Sequence, residues 1–464
     1  MYEGIKSCVL CGSNQSEYFT SLRGVRQGEN LSPLLFSLFI NDLEESLIEN
    51  NSEYLTFGIE NVDRLLRIIV IMYADDTVIF ANSAAQLKRA MKGLEEYCNK
   101  WQLKINCSKT EIVIFGKGRN RSNDNFELFG EGIEVVENYK YLGLTFDRKG
   151  DLKKAQNDLL KHAYRSMYSL ISKGRKLELP IDLMMELFQS LVVPIMTYGC
   201  EVWGNQMIKE IEVLHLKFLK ILLRVKPSTC NAMVYGETGA YPIYISVYKR
   251  MLGFWGRVLN GKSSKLSYII YDCMLKLYNE GIYEWPWLVF LRKLLNDSGL
   301  SYVWDNHQEV NFSWLKNAVE RNLKDQWIQK WNTQLQEKTS CSTYRLYKKN
   351  YVLEPYLLVA GVSHTYITKL RTNNNKLAIV LGRYNNTPRE DRRCSICNLN
   401  AVGDEYHLFF ECVNHDVIQN RNKFIPFYYR NLPSMEKFCY LLNTRKEKLM
   451  NSISLFLKNT FKLL

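Results

Sequence analysis

Two adjacent carboxylates, Asp75 and Asp76, follow Tyr73 and Ala74 between two β-rich segments of the chain. Like charges this close repel each other unless a cation neutralises them. Carboxylate oxygens are hard ligands that suit Mg²⁺, which keeps several waters and bridges to substrate phosphates. A hairpin that held both acids would therefore suit metal-dependent phosphoryl transfer. An Asp-Asp pair is also common in ordinary turns, so these residues alone do not specify the chemistry.

Three other segments could contribute to the same chemistry. Upstream, residues 24–33 form a loop framed by Gly24 and Gly28 that opens a helix. Glycines let backbone approach a ligand closely, and a helix N-terminus favours an anion such as a phosphate. Downstream, Lys109 stands ahead of a strand-like run, and residues 139–144 form a tight turn between short strands.

In this order, the four segments resemble the palm of reverse transcriptases of LINE-type (non-LTR) retrotransposons. Residues 24–33 resemble motif B of that family, 73–76 motif C, 103–115 motif D, and 141–143 the primer-grip turn of motif E. The resemblance continues more loosely through helices to residue 225, as in the thumb of such elements. Each segment would be weak evidence singly, but the shared order makes the resemblance specific.

The resemblance implies a role for each matching residue. Asp75 and Asp76 would be the catalytic pair that binds Mg²⁺ or Mn²⁺. An RNA template, a DNA primer and dNTPs would be the partners, with the primer 3′-hydroxyl attacking the α-phosphate of the incoming nucleotide. The residues expected to contact template, primer end or nucleotide are Gly24, Gln27, Gly28, Tyr73, Lys109, Tyr141, Leu142 and Gly143.

One departure from the family concerns its first catalytic aspartate, which lies on a strand ahead of motif B. The acids before Gly24, Glu3 and Glu17, lack that strand context. Two-metal catalysis normally needs carboxylates on separate strands. We therefore expect an N-terminally truncated reverse transcriptase without fingers, and no measurable primer extension from this chain by itself. A milder departure is Glu29, where the family often has a small or apolar residue.

A second candidate site lies near the C-terminus. Cys394, Cys397, His407 and Cys412 have the spacing of a zinc knuckle, and four protein ligands would make the zinc structural. The segment also resembles the Cys-Cys-His-Cys segment that follows many LINE-type polymerases. His415 is the reserve ligand. The alternative is that the cysteines and His407 are ordinary core residues.

Apolar periodicity predicts the elements that position these residues. The predicted helices are 31–46 (capped by Ser32), 83–101, 151–172 (closed by Gly174), 181–193 and 208–225, and the predicted strands are 65–72, 77–81, 103–106 and 111–115. Residues 230–385 look mainly helical, and we expect their tryptophans in the core rather than on a nucleic-acid surface.

These elements predict an α+β fold. It would comprise a partial right-hand polymerase palm, with an antiparallel sheet and helices, followed by a mainly α-helical thumb and C-terminal domains with a small zinc knuckle. The predicted domains are 1–150 (palm), 151–229 (thumb), 230–385 (helical connection), 386–420 (zinc knuckle) and 421–464 (basic helical segment). The oligomeric state is left open.

Charge is distributed unevenly along the 464 residues, whose formal net charge is +13. Residues 1–150 hold 17 Lys+Arg and 21 Asp+Glu, a balance of −4, while residues 421–464 hold nine basic and two acidic residues, a balance of +7. A basic C-terminal part suggests an anionic partner, although a solvated basic surface has the same composition. The alternative function is therefore a non-catalytic nucleic-acid-binding protein derived from a transposable element, and a third hypothesis is a decayed element without a role.

Apolar runs fall well short of the roughly 18 residues that span a bilayer, and Glu3 and Lys6 interrupt any signal-peptide core. The twelve cysteines are scattered, which suits a reducing compartment. We therefore expect an intracellular protein, in the nucleus or the cytoplasm, without a membrane partner.

Overall fold

The computed structural model describes residues 6–20, 24–25, 28–49, 55–57, 66–116, 124–261, 265–306, 310–359 and 364–464. The chain divides into two compact units. Unit 1 comprises Met1–Asp151 and Ser263–Tyr283, and unit 2 comprises Leu152–Lys262 and Glu284–Leu464.

The described strands all lie in unit 1. They are β1 (Lys6–Ser7), β2 (Leu10–Cys11), β3 (Asn14–Gln15), β4 (Phe19–Thr20), β5 (Leu55–Phe57), β6 (Leu66–Ile68), β7 (Val70–Tyr73), β8 (Asp76–Ile79), β9 (Glu111–Val113), β10 (Glu127–Leu128), β11 (Glu131–Gly132), β12 (Glu134–Val136), β13 (Asn138–Tyr141) and β14 (Leu144–Asp147).

Helices occur in both units and make up most of unit 2. The described α-helices are α1 (Ser32–Phe39), α2 (Leu43–Glu49), α3 (Ala84–Trp101), α4 (Lys153–Lys176), α5 (Ile181–Leu191), α6 (Val193–Met196), α7 (Cys200–Trp203), α8 (Lys209–Leu222), α9 (Asn231–Thr238), α10 (Ile243–Leu259), α11 (Leu266–Asn279), α12 (Pro286–Asp297), α13 (Tyr302–Asp305), α14 (Phe312–Glu337), α15 (Tyr344–Tyr347), α16 (Thr365–Arg371), α17 (Ala378–Tyr384), α18 (His415–Phe424), α19 (Phe427–Arg430), α20 (Met435–Asn443) and α21 (Glu447–Thr460). The chain is thus an α+β protein.

Pairing between the described strands is limited to two-stranded sheets. Six of the pairs are antiparallel, and β9 pairs with β12 in parallel. The predicted antiparallel palm sheet is therefore not formed as one sheet by the strands that the structure describes, and the palm and thumb assignment stays a prediction.

Among the described residues of unit 1, two small hydrophobic clusters are formed. In the first, Leu43 and Leu47 of α2 pack with Ile69 and with Tyr97 of α3. The second cluster contains Met91 of α3 and the residues Phe126, Leu128 and Ile133. Helix α3 thus contacts both clusters, and its bounds agree with the predicted helix at 83–101. The structure adds the N-cap, because the Ser83 side chain accepts a hydrogen bond from the Gln86 N–H.

The predicted helix at 31–46 was wrong in two respects. The structure has two helices, α1 and α2, separated at residues 40–42, and the N-cap is Leu31, with no hydrogen bond from a side chain. Helix α1 is covered on one side only, because Leu35 and Phe36 are half-buried whereas Leu34 and Leu38 are exposed. An apolar stripe predicts which face is available for burial, but not whether a neighbour covers it.

Gly174 does not close the helix that follows residue 150. Helix α4 continues through it to Lys176, and a Cβ at Gly174 would lie 2.2 Å from the Met184 sulfur of α5. The glycine therefore permits close approach of two helices instead of ending one. The run 103–106, predicted as a strand, has no regular secondary structure.

The core of unit 2 is rich in aromatic residues. Trp255, Trp304, Trp327 and Trp331 are buried, which confirms the prediction that these tryptophans form core, whereas Trp314 is exposed.

No single helix among the described ranges is long and apolar enough to cross a membrane, although the bent pair 181–196 and 200–206 is long and apolar enough when its two helices are combined.

Candidate functional site

The aspartate pair lies at the end of a tight hairpin. Strands β7 and β8 pair from Val70 opposite Ile79 to Tyr73 opposite Asp76, which leaves Ala74 and Asp75 as the connecting turn. Ala74 adopts a left-handed φ of 54°, as a two-residue hairpin turn demands. The side chains of Tyr73, Asp75 and Asp76 are exposed, so the predicted hairpin is confirmed and both carboxylates are accessible to solvent.

The base of this hairpin is anchored in the first core cluster of unit 1. Val70, Met72 and Ile79 pack against the cluster formed by α2, α3 and Ile69. The Tyr97 hydroxyl donates a hydrogen bond to Asp42 Oδ1 at 2.5 Å and ties α3 to the segment before α2. The apolar residues at the base therefore anchor the hairpin in the core, and the aspartates lie at its opposite, solvent-exposed end.

The hairpin β13–β14 lies beside the aspartate tip. Leu142 and Gly143, with φ of 47° and 83°, form its turn, and two left-handed residues are the signature of a type I′ hairpin. Burial raises the pKa of Tyr139 and Tyr141, and the Asp76 carboxylate raises both further. The Asp76 side chain is therefore close enough to act electrostatically on both phenols.

The segment that resembles motif D reaches the same neighbourhood through Glu111. The Glu111 carboxylate, at the start of β9, also contributes to the raised pKa of Tyr139. Lys109 ends a short 3-10 helix just before β9, and its side chain is exposed. Within the described residues, no hydrogen bond or ion pair joins Lys109 to Asp75 or Asp76.

The glycines of the loop at 24–33 have the conformation that their residue type permits. Gly24 and Gly28 have φ of 86° and 88°, and a Cβ at either position would meet no atom within 4 Å. The backbone conformation, rather than crowding, is therefore what favours glycine there. Gln27 lies outside the described residues, so its predicted template contact stays a prediction.

The cysteine–histidine cluster is the second candidate site. Among the residues that the structure describes, only one set of three or more Cys, His, Asp or Glu side chains could hold a metal, and it contains Cys394, Cys397, His407 and Cys412. Their ligand atoms all lie within 4.8 Å of one another, and Cys397 Sγ is 3.3 Å from His407 Nε2. In a tetrahedral zinc site, sulfur and nitrogen ligands are separated by about 3.5 to 3.8 Å. The cluster is therefore compatible with a zinc site.

A short ribbon holds the first two cysteines. Arg393 bridges Val402, and the Cys394 N–H donates to the Ala401 carbonyl at 2.9 Å. A Cβ at Gly403 would lie 2.8 Å from the Cys394 Cα, so only glycine lets the two arms of the ribbon approach this closely. Burial raises the pKa of Cys397, but hydrogen bonds from the Leu399 N–H and the Cys394 thiol more than offset it and lower that pKa.

A π-helical turn, His407–Glu411, presents the other two ligands. The Cys412 N–H donates to the His407 carbonyl at 2.8 Å, five residues back, which is the spacing of a π-turn. His407 Nδ1 lies 3.3 Å from the Glu411 carboxylate, an interaction that turns Nε2 towards the cysteines. Such a carboxylate–histidine contact fixes the ring orientation at metal sites.

Several residues that support the cysteine–histidine cluster were not predicted from the sequence. Glu411 could have been found, because it stands four residues after His407, the spacing at which helical side chains meet. Arg421, which donates to the carbonyls of Leu408 and Cys412, and Asn414, which donates to the Ile396 carbonyl, act through backbone contacts that no motif marks. The reserve ligand His415 has a side chain 81% exposed and lies outside the cluster.

Comparison with known proteins gives matches to the segment that contains the aspartate pair. Residues 2–146 match the family described as reverse transcriptase (RNA-dependent DNA polymerase). The chain is 29% identical over 211 residues to the RNA-directed DNA polymerase from mobile element jockey of Drosophila melanogaster, which covers 42% of this chain and 21% of that relative. It is 25% identical over 235 residues to the probable RNA-directed DNA polymerase from transposon X-element of the same species, covering 47% of this chain and 24% of the relative.

A third relative is the retrovirus-related Pol polyprotein from type-1 retrotransposable element R2 of Nasonia vitripennis, which is 24% identical over 162 residues, 33% of this chain and 15% of the relative. The matches thus span a quarter or less of the length of these three relatives. Residues 2–146 thus match the reverse transcriptase family, and the chain is similar to RNA-directed DNA polymerases of LINE-type mobile elements.

Proposed function

We propose that this chain contributes to template-directed DNA synthesis by metal-dependent nucleotidyl transfer, with Asp75 and Asp76 as ligands of Mg²⁺. The observation that carries the proposal is the exposed pair of carboxylates on an anchored hairpin tip, within a segment that matches reverse transcriptases. An RNA template, a DNA primer and dNTPs are the corresponding partners.

The residues at the tip fit a divalent cation. Asp75 and Asp76 offer oxygen ligands, which Mg²⁺ prefers, and solvent exposure leaves room for the waters and phosphate oxygens that complete its shell. A bound cation would stabilise negative charge on the reacting phosphate. Tyr73, the neighbour of Asp76 across the hairpin, would lie beside the primer end, and Lys109 would offset charge on the leaving pyrophosphate.

Metal binding can be tested separately from catalysis. We expect Mn²⁺, titrated into the isotopically labelled chain, to broaden the NMR signals of residues around the β7–β8 turn first, because a bound paramagnetic ion acts on nearby nuclei. Asp75→Asn and Asp76→Asn should each abolish this selective broadening. Asp182→Asn, an exposed aspartate at the start of α5, is the matched control and should leave it unchanged.

Catalysis is tested by extension of a DNA primer on an RNA template with Mg²⁺ and dNTPs. Asp75-dependent extension would establish activity of this chain and overturn the expectation that it is inactive by itself. Broadening at the hairpin that persists in both asparagine variants would contradict the proposed metal ligands.

We also propose that Cys394, Cys397, His407 and Cys412 bind one structural Zn²⁺. Four protein ligands leave no open position for a substrate, so the ion would stabilise the ribbon and the π-helical turn. The expected result is one zinc per chain by elemental analysis, lost in Cys394→Ser. Cys439→Ser, which changes a cysteine outside the cluster, should retain the metal. Equal zinc content in both variants would contradict the assignment.

Non-catalytic binding of nucleic acid is the second candidate function, and a surface near the C-terminus favours it. Phe427 and Tyr428 are 68% and 69% exposed. The guanidinium of Arg430 lies 5.7 Å from the Phe427 ring, and the ammonium of Lys437 lies 4.7 Å from the Tyr428 ring. These residues belong to the segment 421–464, whose charge balance is +7. Exposed rings can stack on the bases of a single-stranded nucleic acid, and the neighbouring cations can neutralise its phosphates.

This second function predicts salt-sensitive binding to single strands. Fluorescence anisotropy of a labelled oligonucleotide should show affinity that falls steeply with added salt. The double variant Phe427→Ala and Tyr428→Ala should weaken binding about tenfold or more, since base–aromatic stacking contributes about 1–3 kcal/mol per base. Tyr302→Ala, which removes an exposed ring elsewhere in unit 2, is the control. Binding that is insensitive to salt, or equal in both variants, would contradict this function.

A further inference from the structure

Two cysteines that belong to neither candidate site lie together in unit 2. Cys230 is the N-cap residue of α9, and Cys341 ends a short 3-10 helix, Thr339–Cys341, that follows α14. The Cys341 loop reaches Cys230, because the Lys338 ammonium lies 3.8 Å from the Cys230 sulfur and the Lys338 carbonyl accepts a hydrogen bond from the Cys341 N–H at 2.9 Å. The Cys341 thiol in turn hydrogen-bonds to the Cys230 sulfur. Cys341 is fully buried, whereas Cys230 is half-buried and therefore accessible to a small reagent.

A shared support holds the two cysteine-bearing loops. Asn374 contacts the residue before Cys230, because the Thr229 hydroxyl donates to Asn374 Oδ1 at 3.0 Å. Asn373 contacts the residue before Cys341, since its Nδ2 donates to the Ser340 carbonyl at 2.7 Å. Adjacent residues of one segment thus fix both loops, so the sulfurs are held near each other by the fold although 111 positions separate them in sequence.

The surroundings of Cys230 favour its ionised form. The Lys338 ammonium lies 3.8 Å from its sulfur, and the backbone N–H groups of Met233 and Ala232 at the start of α9 point towards it. The hydrogen bond from the Cys341 thiol is the largest of several contributions that together lower the pKa of Cys230 to about 5. A thiolate is the reactive form of cysteine, and positive charge and helix N-termini stabilise it.

We propose that Cys230 and Cys341 form a peroxide-sensitive dithiol, in which Cys230 is the reacting cysteine and Cys341 the resolving one. The Cys230 thiolate attacks one oxygen of hydrogen peroxide, an S–O bond forms and the O–O bond breaks. Hydroxide leaves and takes a proton from solvent, which gives the first water molecule. The Cys341 sulfur then displaces hydroxide from the Cys230 sulfenic acid, and its proton completes a second water molecule. Both sulfurs are oxidised to a disulfide and the peroxide is reduced to water. The disulfide would join the start of α9 to the 3-10 helix that follows α14.

Peptide mapping of the zinc-loaded full chain tests this assignment. After a small excess of hydrogen peroxide and alkylation of the remaining thiols, tryptic digestion should yield residues 225–249 joined to residues 339–345, with the loss of two hydrogen atoms. Reduction should separate the pair. Cys230→Ser should abolish the linkage, and Cys439→Ser, which changes a cysteine of the same unit, should leave it intact.

Cys341→Ser distinguishes the two roles. Without the resolving thiol, Cys230 should stop at the sulfenic acid, which a dimedone probe labels at the peptide 225–249. The proposal is overturned if the peptide from the unmodified sequence shows no linkage under these conditions, or if Cys341 is oxidised before Cys230. The first outcome requires no variant, so a folding defect in Cys341→Ser does not protect the proposal.

Discussion

Arg371 lies at the centre of a buried charge cluster in unit 2, and replacing it should destabilise that unit strongly. Its side chain is completely buried. The guanidinium forms a two-pronged contact with Glu237, at 2.9 Å for each bond, and Nη2 lies 2.8 Å from Glu354. The rings of Tyr347 and Tyr356 lie 4.6 Å and 5.1 Å from it, so the cation contacts two aromatic rings as well as two carboxylates.

The expected loss in the free energy of unfolding follows from the contacts that remain in Arg371→Met. Glu354 keeps the ammonium of Lys348. Glu237 would keep one side-chain hydrogen bond, from the Tyr356 hydroxyl at 2.6 Å, and the longer-range attraction of the Lys348 ammonium, which does not replace the two bonds from Arg371. Removing one partner of a buried ion pair costs about 3–5 kcal/mol, because the other charge stays buried without compensation. We therefore expect the free energy of unfolding of unit 2 to fall by about 4 kcal/mol at pH 7.

The loss should depend on pH in a defined direction. Burial raises the pKa of Glu237, and Arg371 more than offsets it, so that this pKa is lowered in the native protein. In Arg371→Met only burial and weaker contacts remain, so the folded state would bind a proton more readily than the unfolded state. Stability of the variant then decreases as pH rises, whereas the native pair contributes most above the unfolded pKa of Glu237. The difference between the two proteins should be larger at pH 8 than at pH 5.

Urea unfolding followed by tryptophan fluorescence measures this difference, because Trp331 donates to the Ala232 carbonyl of α9, the helix that carries Glu237. The double variant Arg371→Met and Glu237→Gln should recover part of the lost stability, since no unpaired charge remains. Arg165→Met, on the exposed face of α4, is the control and should change stability by about 0.5 kcal/mol or less. A loss below about 1 kcal/mol for Arg371→Met, or a double variant less stable than the single one, would refute this account.

Three other predictions concern the sites and the backbone. Glu411→Ala should weaken zinc binding about 10- to 100-fold in a chelator competition, because it frees the His407 ring, whereas Glu390→Ala should not. In urea unfolding, Gly239→Ala should lower the free energy of unfolding more than Gly299→Ala does. Both glycines have a left-handed φ, but only the new Cβ at position 239 would lie 2.4 Å from a backbone atom, the Leu353 nitrogen. Asp76→Asn should lower the pKa of Tyr139 and Tyr141 in an NMR titration, while an unchanged pKa of both would show that the two hairpins are not adjacent.

The sequence predicted best those features that local chemistry specifies. The acids at 75 and 76, between apolar β-rich runs, indicated a hairpin whose tip is polar, and the structure has that hairpin. Apolar periodicity indicated a helix from Ser83, and the helix begins there, because the Ser83 hydroxyl accepts a hydrogen bond from the free Gln86 N–H. The Cys/His spacing indicated a shared site, and the four side chains do converge.

Features that depend on distant partners were not predictable in this way. Gly174 has the residue type of a helix end, but its role is set by Met184, ten positions later, which needs the space that a Cβ would fill. The apolar composition of α1 does not show that Leu34 and Leu38 are exposed, since a hydrophobic pattern does not record which neighbours pack against a helix. Arg371 belongs to no motif, and its carboxylate partner lies 134 positions away.

The arrangement of unit 2 gives the cysteine–histidine cluster a stable support. Arg371 donates to the Leu442 carbonyl at 2.9 Å and to the Asn443 side chain at 3.1 Å, so the buried charge cluster reaches the end of α20. Phe438 of α20 contacts Phe409 of the π-helical turn, which presents His407. Arg371→Met should therefore weaken zinc binding at the cluster as well as destabilise the core. Zinc should in turn stabilise unit 2, because a ligand that binds only the folded state raises its stability by mass action.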